Sequence, residues 1–393
     1  MGRALCQENL VSLTRHLTED LLRLQGGFQY RGERWHLIVI GIKGDMLFLA
    51  KTGNFVRHWL RAPRKETKSR SKPLPGICWL CLGGTDDGGP WEDCNWNCQW
   101  SMVPNKVPWE FPPPWLHLFH SPTFPETMFR PDLFHNYHGG LGMYFISSAI
   151  VECMCLVEGS LDVKVQHFAE QLREWASLKG NRMPHSGPFC KERIGLTSMQ
   201  VLPDASWSKF DDTRVYHSFL LWWLEKRANE CEGNQVLSRI LDALRVIDKF
   251  FHILYTSGLW LESTQAAEIG LLGRQFVKLY CELVHICYND RRLRFPMVVK
   301  LHMFDHSARK LLALAAKNKW VLSPLVDTVQ MNEDFVGQCA RLSRRVSPVT
   351  NSLRTLQRYL TRARRIWAKS CESKGYAAAF KPISKKRQAS SDR

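Results

Sequence analysis

Two half-sites, far apart in the chain, constrain the fold more than any other feature. Cys78-x-x-Cys81 closes a tight loop that can present two sulfurs to one metal. His302-x-x-x-His306 has the i, i+4 spacing that puts two imidazoles on one face of a helix. Neither pair completes a tetrahedral Zn²⁺ shell alone, and together they do. A shared ion would fix a late helix to a much earlier loop. Two other pairs are available to complete the shell, Cys94 with Cys98 and His135 with His138. His302 and His306 rank first because the helical spacing aligns both rings. The competing reading makes the cysteines reduced core thiols and the histidines ordinary hydrogen-bonded residues.

Around these half-sites the apolar pattern is mostly helical. Residues 5–25 carry leucines near helical spacing and stop at Gly26-Gly27. Residues 142–157 are apolar almost throughout, and 160–178 start at a capping Ser160. Further helices are expected at 213–228, 234–255, 263–289, 297–317, 324–346 and 352–370, with Pro296 and Pro324 near first turns. The best strand is Trp35–Ile42, which is β-branched and apolar and reads as buried. Residues 76–125 are different. They are rich in Gly and Pro and hold Trp79, Trp91, Trp96, Trp100, Trp109 and Trp115, so aromatic packing and a metal are expected to shape them.

Composition bears on partners. The chain has 393 residues and a formal net charge of +17, which favours an anionic partner such as nucleic acid. The charge is concentrated late: from Arg341 to Arg393 there are fifteen Lys or Arg against two acids, Glu372 and Asp392. Arg354, Arg358, Arg362 and Arg365 fall on one helix face, a stripe suited to a phosphate backbone. Residues 61–73 form a second basic segment, and Lys385-Lys386-Arg387 fits a short nuclear-import signal. MGRALCQENL has no apolar leader run, and no stretch approaches the ~18–20 apolar residues of a membrane span. The thirteen cysteines are therefore expected as thiols or ligands, not disulfides, in a soluble, intracellular, nuclear chain. Gly139-Gly140-Leu141-Gly142 lacks the spacing of a nucleotide fingerprint, so close helix packing is its expected role. No small-molecule cofactor is expected, and no membrane partner.

Three acids complete the candidate residues. Asp45 ends the strand region in Lys43-Gly44-Asp45, Asp132 precedes a helix in Asp132-x-x-His135, and Glu333 lies on a late helix. Each has an ordinary role available: turn cap, N-cap, and solvated helix face. Converging, the three would suit two Mg²⁺ ions for phosphoryl transfer on DNA.

The order of these motifs resembles the catalytic region of eukaryotic DDE transposases of the CACTA and KDZ/Plavaka kind. The likeness rests on Asp45, Cys78-x-x-Cys81, Asp132-x-x-His135, Lys300-x-His302-x-x-x-His306 and Glu333 with its Arg-rich continuation. It covers residues 36–138 and 295–362. It implies an RNase H-like core interrupted by a zinc-binding insertion, with DNA as partner, Asp45, Asp132 and Glu333 as the Mg²⁺-binding acids, and strand cleavage or transfer as activity. The departure is at the front, where only one good strand precedes the cysteine pair; an incomplete core implies a DNA-binding relic. The expected architecture is therefore α+β and helix-dominated: an N-terminal helix and partial sheet (1–60), a basic loop and Cys/Trp-rich metal-binding region (61–138), a helical domain (139–372) and a basic tail (373–393). A helical interaction scaffold with a structural zinc is the alternative function.

Overall fold

The computed structural model describes residues 2–62, 75–205, 207 and 210–373. The basic segment 61–73 lies almost wholly outside the described residues, as do the tail beyond Ser373 and Lys385-Lys386-Arg387. The protein is helix-dominated. Contacts divide it into two compact units, one ending at Val329 and one beginning at Gln330.

The first unit opens with α1 (Gly2–Gln25), a hairpin of β1 (Phe28–Tyr30) and β2 (Glu33–Trp35), then β3 (Ile42–Gly44) and α2 (Met46–Thr52). Much later β4 (Phe129–Pro131) pairs with β3 in parallel, with Ile42 opposite Phe129 and Gly44 opposite Pro131. The strand expected over Trp35–Ile42 is corrected. Only its ends are paired, and Ile38 and Ile40 are 67% and 55% exposed. A strand needs a partner edge, and here the Arg130 guanidinium takes the Ile40 carbonyl at 2.9 Å instead.

The helical body follows: a π-helical turn at Phe134–Leu141, then α3 (Gly142–Cys153), α4 (Leu161–Ser177), α5 (Asp212–Glu225), α6 (Gln235–Thr256), β5 (Trp260–Glu262), α7 (Ser263–Asn289), α8 (Val299–Ala315) and β6 (Trp320–Leu322), which pairs with β5. The starts obey capping chemistry. Ser160 accepts from the Val163 amide at α4, and Asn234 accepts from Val236 and Leu237, both at 3.1 Å, at α6. α6 buries Val236, Ile240, Leu244, Ile247, Phe250 and Leu254 on one stripe. α7 and α8 pack closely because Gly273 faces Ala308; a Cβ there would stand 2.8 Å from the Ala308 Cβ. The continuous helical run Phe134–Leu156 has the length and composition of a membrane span, contrary to the sequence reading that no stretch does. Here 72% of its most apolar window is buried in the helical core.

Two apolar cores result. The larger lies among the helices. The smaller gathers Phe55, Trp79, Trp91, Trp100, Trp109, Trp115 and Phe129; Met303 of α8 reaches into it and Val299 of α8 packs against it. Aromatic packing thus shapes the Trp-rich segment, as its composition predicts: Phe55 stacks on Trp79 at 5.4 Å. The second unit is a helical hairpin, α9 (Gln330–Ser343) and α10 (Asn351–Ser373), joined across Phe335 and Tyr359. The helix expected over 324–346 starts later than its proline suggests, because Pro324–Asp327 forms a separate 3₁₀ turn.

Candidate metal centre

The structure brings Cys78, Cys81, His302 and His306 together, with all four donor atoms within 4.8 Å of one another. Cys81 Sγ lies 3.2 Å from His302 Nε2, Cys78 Sγ 3.5 Å from His306 Nε2, and the two Nε2 atoms 3.1 Å apart. A tetrahedral ion with Zn–S of about 2.3 Å and Zn–N of about 2.0–2.1 Å has S···N edges of about 3.6 Å and N···N edges of about 3.3 Å. The donors stand near the corners of that figure. The group can hold a metal ion such as zinc.

Local structure builds the site from both sides. On the cysteine side the loop is closed by the Ile77 amide on the Gly83 carbonyl at 3.1 Å. Backbone amides face the sulfurs: Leu80 donates to Cys78 Sγ at 3.3 Å and Gly83 to Cys81 Sγ at 3.2 Å. The buried Arg57 side chain donates to the Cys78 carbonyl at 3.1 Å. On the helix side, His302 Nδ1 lies 3.1 Å from the Trp91 carbonyl. A carbonyl only accepts, so Nδ1 carries the proton and the Nε2 lone pair faces the sulfurs, the arrangement of a metal-ligating histidine. The Trp100 ring packs against both imidazoles, 4.3 Å from the His302 ring and 4.9 Å from the His306 ring. Cys78, Cys81 and His302 are buried and His306 is half-buried.

The electrostatics agree. Burial pushes the Cys78 thiol up, but Cys81 and the two imidazoles outweigh it and hold Cys78 well below the usual thiol range. Burial and the adjacent Cys78 sulfur push Cys81 well above it. A divalent ion bound here would hold both sulfurs as thiolates.

The other candidate ligands are occupied elsewhere. Cys98 Sγ accepts from Arg309 at 3.5 Å, and the free thiol of Cys94 is hydrogen-bonded to that of Cys281, which together with burial pushes it up. His135 Nδ1 sits on Asp132, and His138 Nε2 faces the Tyr255 hydroxyl at 3.1 Å.

Two of the three expected acids come to neighbouring positions. Asp45 and Asp132 directly follow the paired ends of β3 and β4, Gly44 and Pro131. Their local roles differ. Asp45 is exposed and caps α2 through the Phe48 amide at 2.6 Å. Asp132 is buried. One of its oxygens accepts from the amides of Phe134 (2.9 Å) and Val329 (3.2 Å), the other from His135 through its amide (3.2 Å) and ring. Both acids flank Lys300, which burial holds below the usual lysine range against their pull. Lys300 Nζ donates to the Gly139 carbonyl at 2.5 Å, and a cavity of about 750 Å³ is lined by Asp45, His135 and Lys300. Glu333 is exposed on α9, in the second unit.

Arg354, Arg358, Arg362 and Arg365 share one face of α10. With Arg345 they line an open groove of about 700 Å³ that has no carboxylate among its described lining residues. Sequence reasoning missed Arg345, which reaches the groove from the turn after α9, and it missed Lys300 as a neighbour of both acids. It also missed the Trp91 carbonyl and Trp100, because backbone acceptors and ring contacts leave no spacing signature.

No protein-family model matches the chain, and neither a curated protein nor a solved structure matches it.

Proposed function

We propose that this is a DNA-binding protein of DDE transposase ancestry, stapled by one structural zinc ion on Cys78, Cys81, His302 and His306. The observation that carries DNA binding is the groove of five arginines, with no carboxylate among its described lining residues. Such a surface neutralises phosphates and reads no base edges, so it gives affinity with little sequence preference. The zinc is assigned a structural role because four protein donors close its shell, whereas a catalytic zinc keeps a position open. The order of motifs and the parallel pairing of β3 with β4 support the ancestry, and a nuclear location follows from a DNA partner. The test is binding of the full chain to duplex DNA across a salt series. A straight fall of log K against log salt supports the reading. Weak binding with no such slope supports a helical scaffold instead.

A second reading, Mg²⁺-dependent strand cleavage or transfer with Asp45 and Asp132 as metal-binding acids, is favoured by one observation: Asp45 and Asp132 follow adjacent strand ends. Two Mg²⁺ ions would there activate the attacking oxygen and stabilise the leaving one. Against it, Asp132 is committed to four hydrogen bonds from nitrogen donors. Nicking of supercoiled DNA that needs Mg²⁺ and disappears in Asp45→Ala, with DNA binding retained, establishes the second reading. Absence of nicking in the wild type removes it and leaves DNA binding standing.

A further inference from the structure

Cys94 and Cys281 take no part in the metal centre. Both are free thiols, both are half-buried, and the two are hydrogen-bonded to each other. Cys94 stands in the loop that follows Trp91, and Cys281 stands on α7. Both line an open cavity of about 980 Å³, with Trp96, Lys278 and His285 around them. A small solute in that cavity therefore meets two neighbouring thiols from distant parts of the chain.

The loop is tied to the helices without any covalent bond. Arg274 of α7, about two turns before Cys281, donates to the Cys94 carbonyl at 2.9 Å and is ion-paired with Asp305 of α8. Arg309 of α8 donates to the carbonyls of Asn95 at 2.6 Å and Trp96 at 2.8 Å, and to Asp305 at 3.0 Å. Both guanidinium groups also stand over the Trp96 ring, 5.3 and 5.6 Å from its centroid. The backbone at and just after Cys94 is thus fixed on α7 and α8, and its thiol is held beside Cys281. Two sulfurs so placed meet the first requirement of a disulfide, which forms only where the two backbones already stand close. The hydrogen bond from Cys94 also holds the Cys281 thiol below its usual range, against burial. That makes Cys281 the readier nucleophile.

We propose that Cys94 and Cys281 are a reversible thiol–disulfide pair, closed by a low-molecular-weight disulfide, that clamps the 91–98 loop onto α7. Cys281 gives its proton to solvent and its sulfur attacks one sulfur of the small disulfide, RSSR. The S–S bond breaks, RS⁻ leaves and takes up a proton, and Cys281 carries a mixed disulfide. The Cys94 sulfur, on losing its own proton, attacks the Cys281 sulfur and expels the second RSH. Two protein thiols and one RSSR give one protein disulfide and two RSH, a two-electron oxidation of the protein matched by reduction of RSSR. The clamp bears on the metal centre, because the Trp91 carbonyl in the same loop holds His302 Nδ1 at 3.1 Å. That consequence rests on the zinc reading; the disulfide itself does not.

The test uses the full chain, purified with its metal and equilibrated without denaturant in mixtures of reduced glutathione and glutathione disulfide. Free thiols are alkylated, the protein is digested, and linked peptides are identified by mass spectrometry. The expected result is a peptide pair joined through Cys94 and Cys281, which grows with the share of glutathione disulfide and disappears in excess reduced glutathione. Cys94→Ser and Cys281→Ser each remove it. A circular-dichroism melt checks both variants, and the wild-type link decides the matter even if one of them fails to fold. The second readout is zinc release to a chelator. The oxidised wild type releases zinc roughly tenfold more slowly than the reduced form, on the scale of other supports of metal ligands, and Cys94→Ser releases it at one rate under both conditions. Thiols at 94 and 281 that remain alkylated at every ratio, or a link from Cys94 to Cys98 in place of Cys281, overturn the proposal. Equal zinc release from the linked and unlinked protein overturns the clamp. A chain that forms the link but carries no zinc overturns the zinc reading and leaves the thiol pair standing.

Discussion

Cys81 Sγ and His302 Nε2 stand 3.2 Å apart across 221 residues of chain. The entropy cost of closing a loop grows only slowly with its length, so a few strong bonds can hold so distant a pair. The junction joins the Trp-rich core to α8, and α8 is pressed onto α7 through Gly273. A metal held here would link the two cores of the first unit.

Gly83 has no room for a side chain at this junction. A Cβ added there would lie 2.9 Å from His302 Cε1 and 3.3 Å from Cys81 Sγ. Gly83→Val should therefore displace a ligand ring and weaken zinc binding by roughly 10–100-fold, the usual effect of disturbing the supports of a metal ligand. A competition titration against a zinc chelator measures it; unchanged affinity would show that the loop shifts freely.

The arginine face should contribute to DNA affinity through phosphates. Changing Arg354, Arg358, Arg362 and Arg365 together to Gln should cut the slope of log K against log salt by roughly three to four units, at ~0.9 per lost contact. Equal slopes for variant and wild type would make the stripe a solvated face only.

The helices were legible in the sequence because their signals are local. Ser160 and Asn234 cap where capping rules place them, and the apolar stripe of α6 is readable at a period of 3.6. The metal cluster was legible because both half-sites have fixed spacing. The Trp35–Ile42 strand misled, since β-branched residues describe a surface that suits a sheet and do not supply the neighbouring strand.

Asp132 and Asp45 should differ sharply when changed. Asp132→Ala strips acceptors from three backbone amides and the His135 ring in a buried place, and should cost about 2–4 kcal/mol. Asp45→Ala removes one exposed N-cap and should cost about 1 kcal/mol. Urea denaturation of both variants checks the order. An Asp132→Ala protein as stable as wild type would free that carboxylate for another role.

Acid should weaken the helical core through His138. Burial first, then His217 and Arg214, holds its imidazole down at about 3, against about 6.5 in an unfolded chain. Between those values the unfolded chain binds a proton that the folded one refuses, so stability rises with pH there. The contribution is complete above about pH 6.5 and is lost as pH falls toward 3, on the order of 3 kcal/mol by pH 4. His138→Phe has no such proton to refuse, so its stability should fall less than the wild type's between pH 7 and pH 4. Metal loss in acid affects both proteins and cancels in the comparison. Parallel pH profiles would mean His138 is protonated in the folded protein.

The central claim is that one zinc ion joins Cys78 and Cys81 to His302 and His306, and elemental analysis of the purified protein tests it most directly. The wild type should carry about one Zn²⁺ per chain after dialysis, and its Co²⁺-substituted form should show tetrahedral, thiolate-bound spectra. Cys78→Ser and His306→Ala should each lose the ion. A wild type without stoichiometric zinc, or variants that both retain it, would contradict the account.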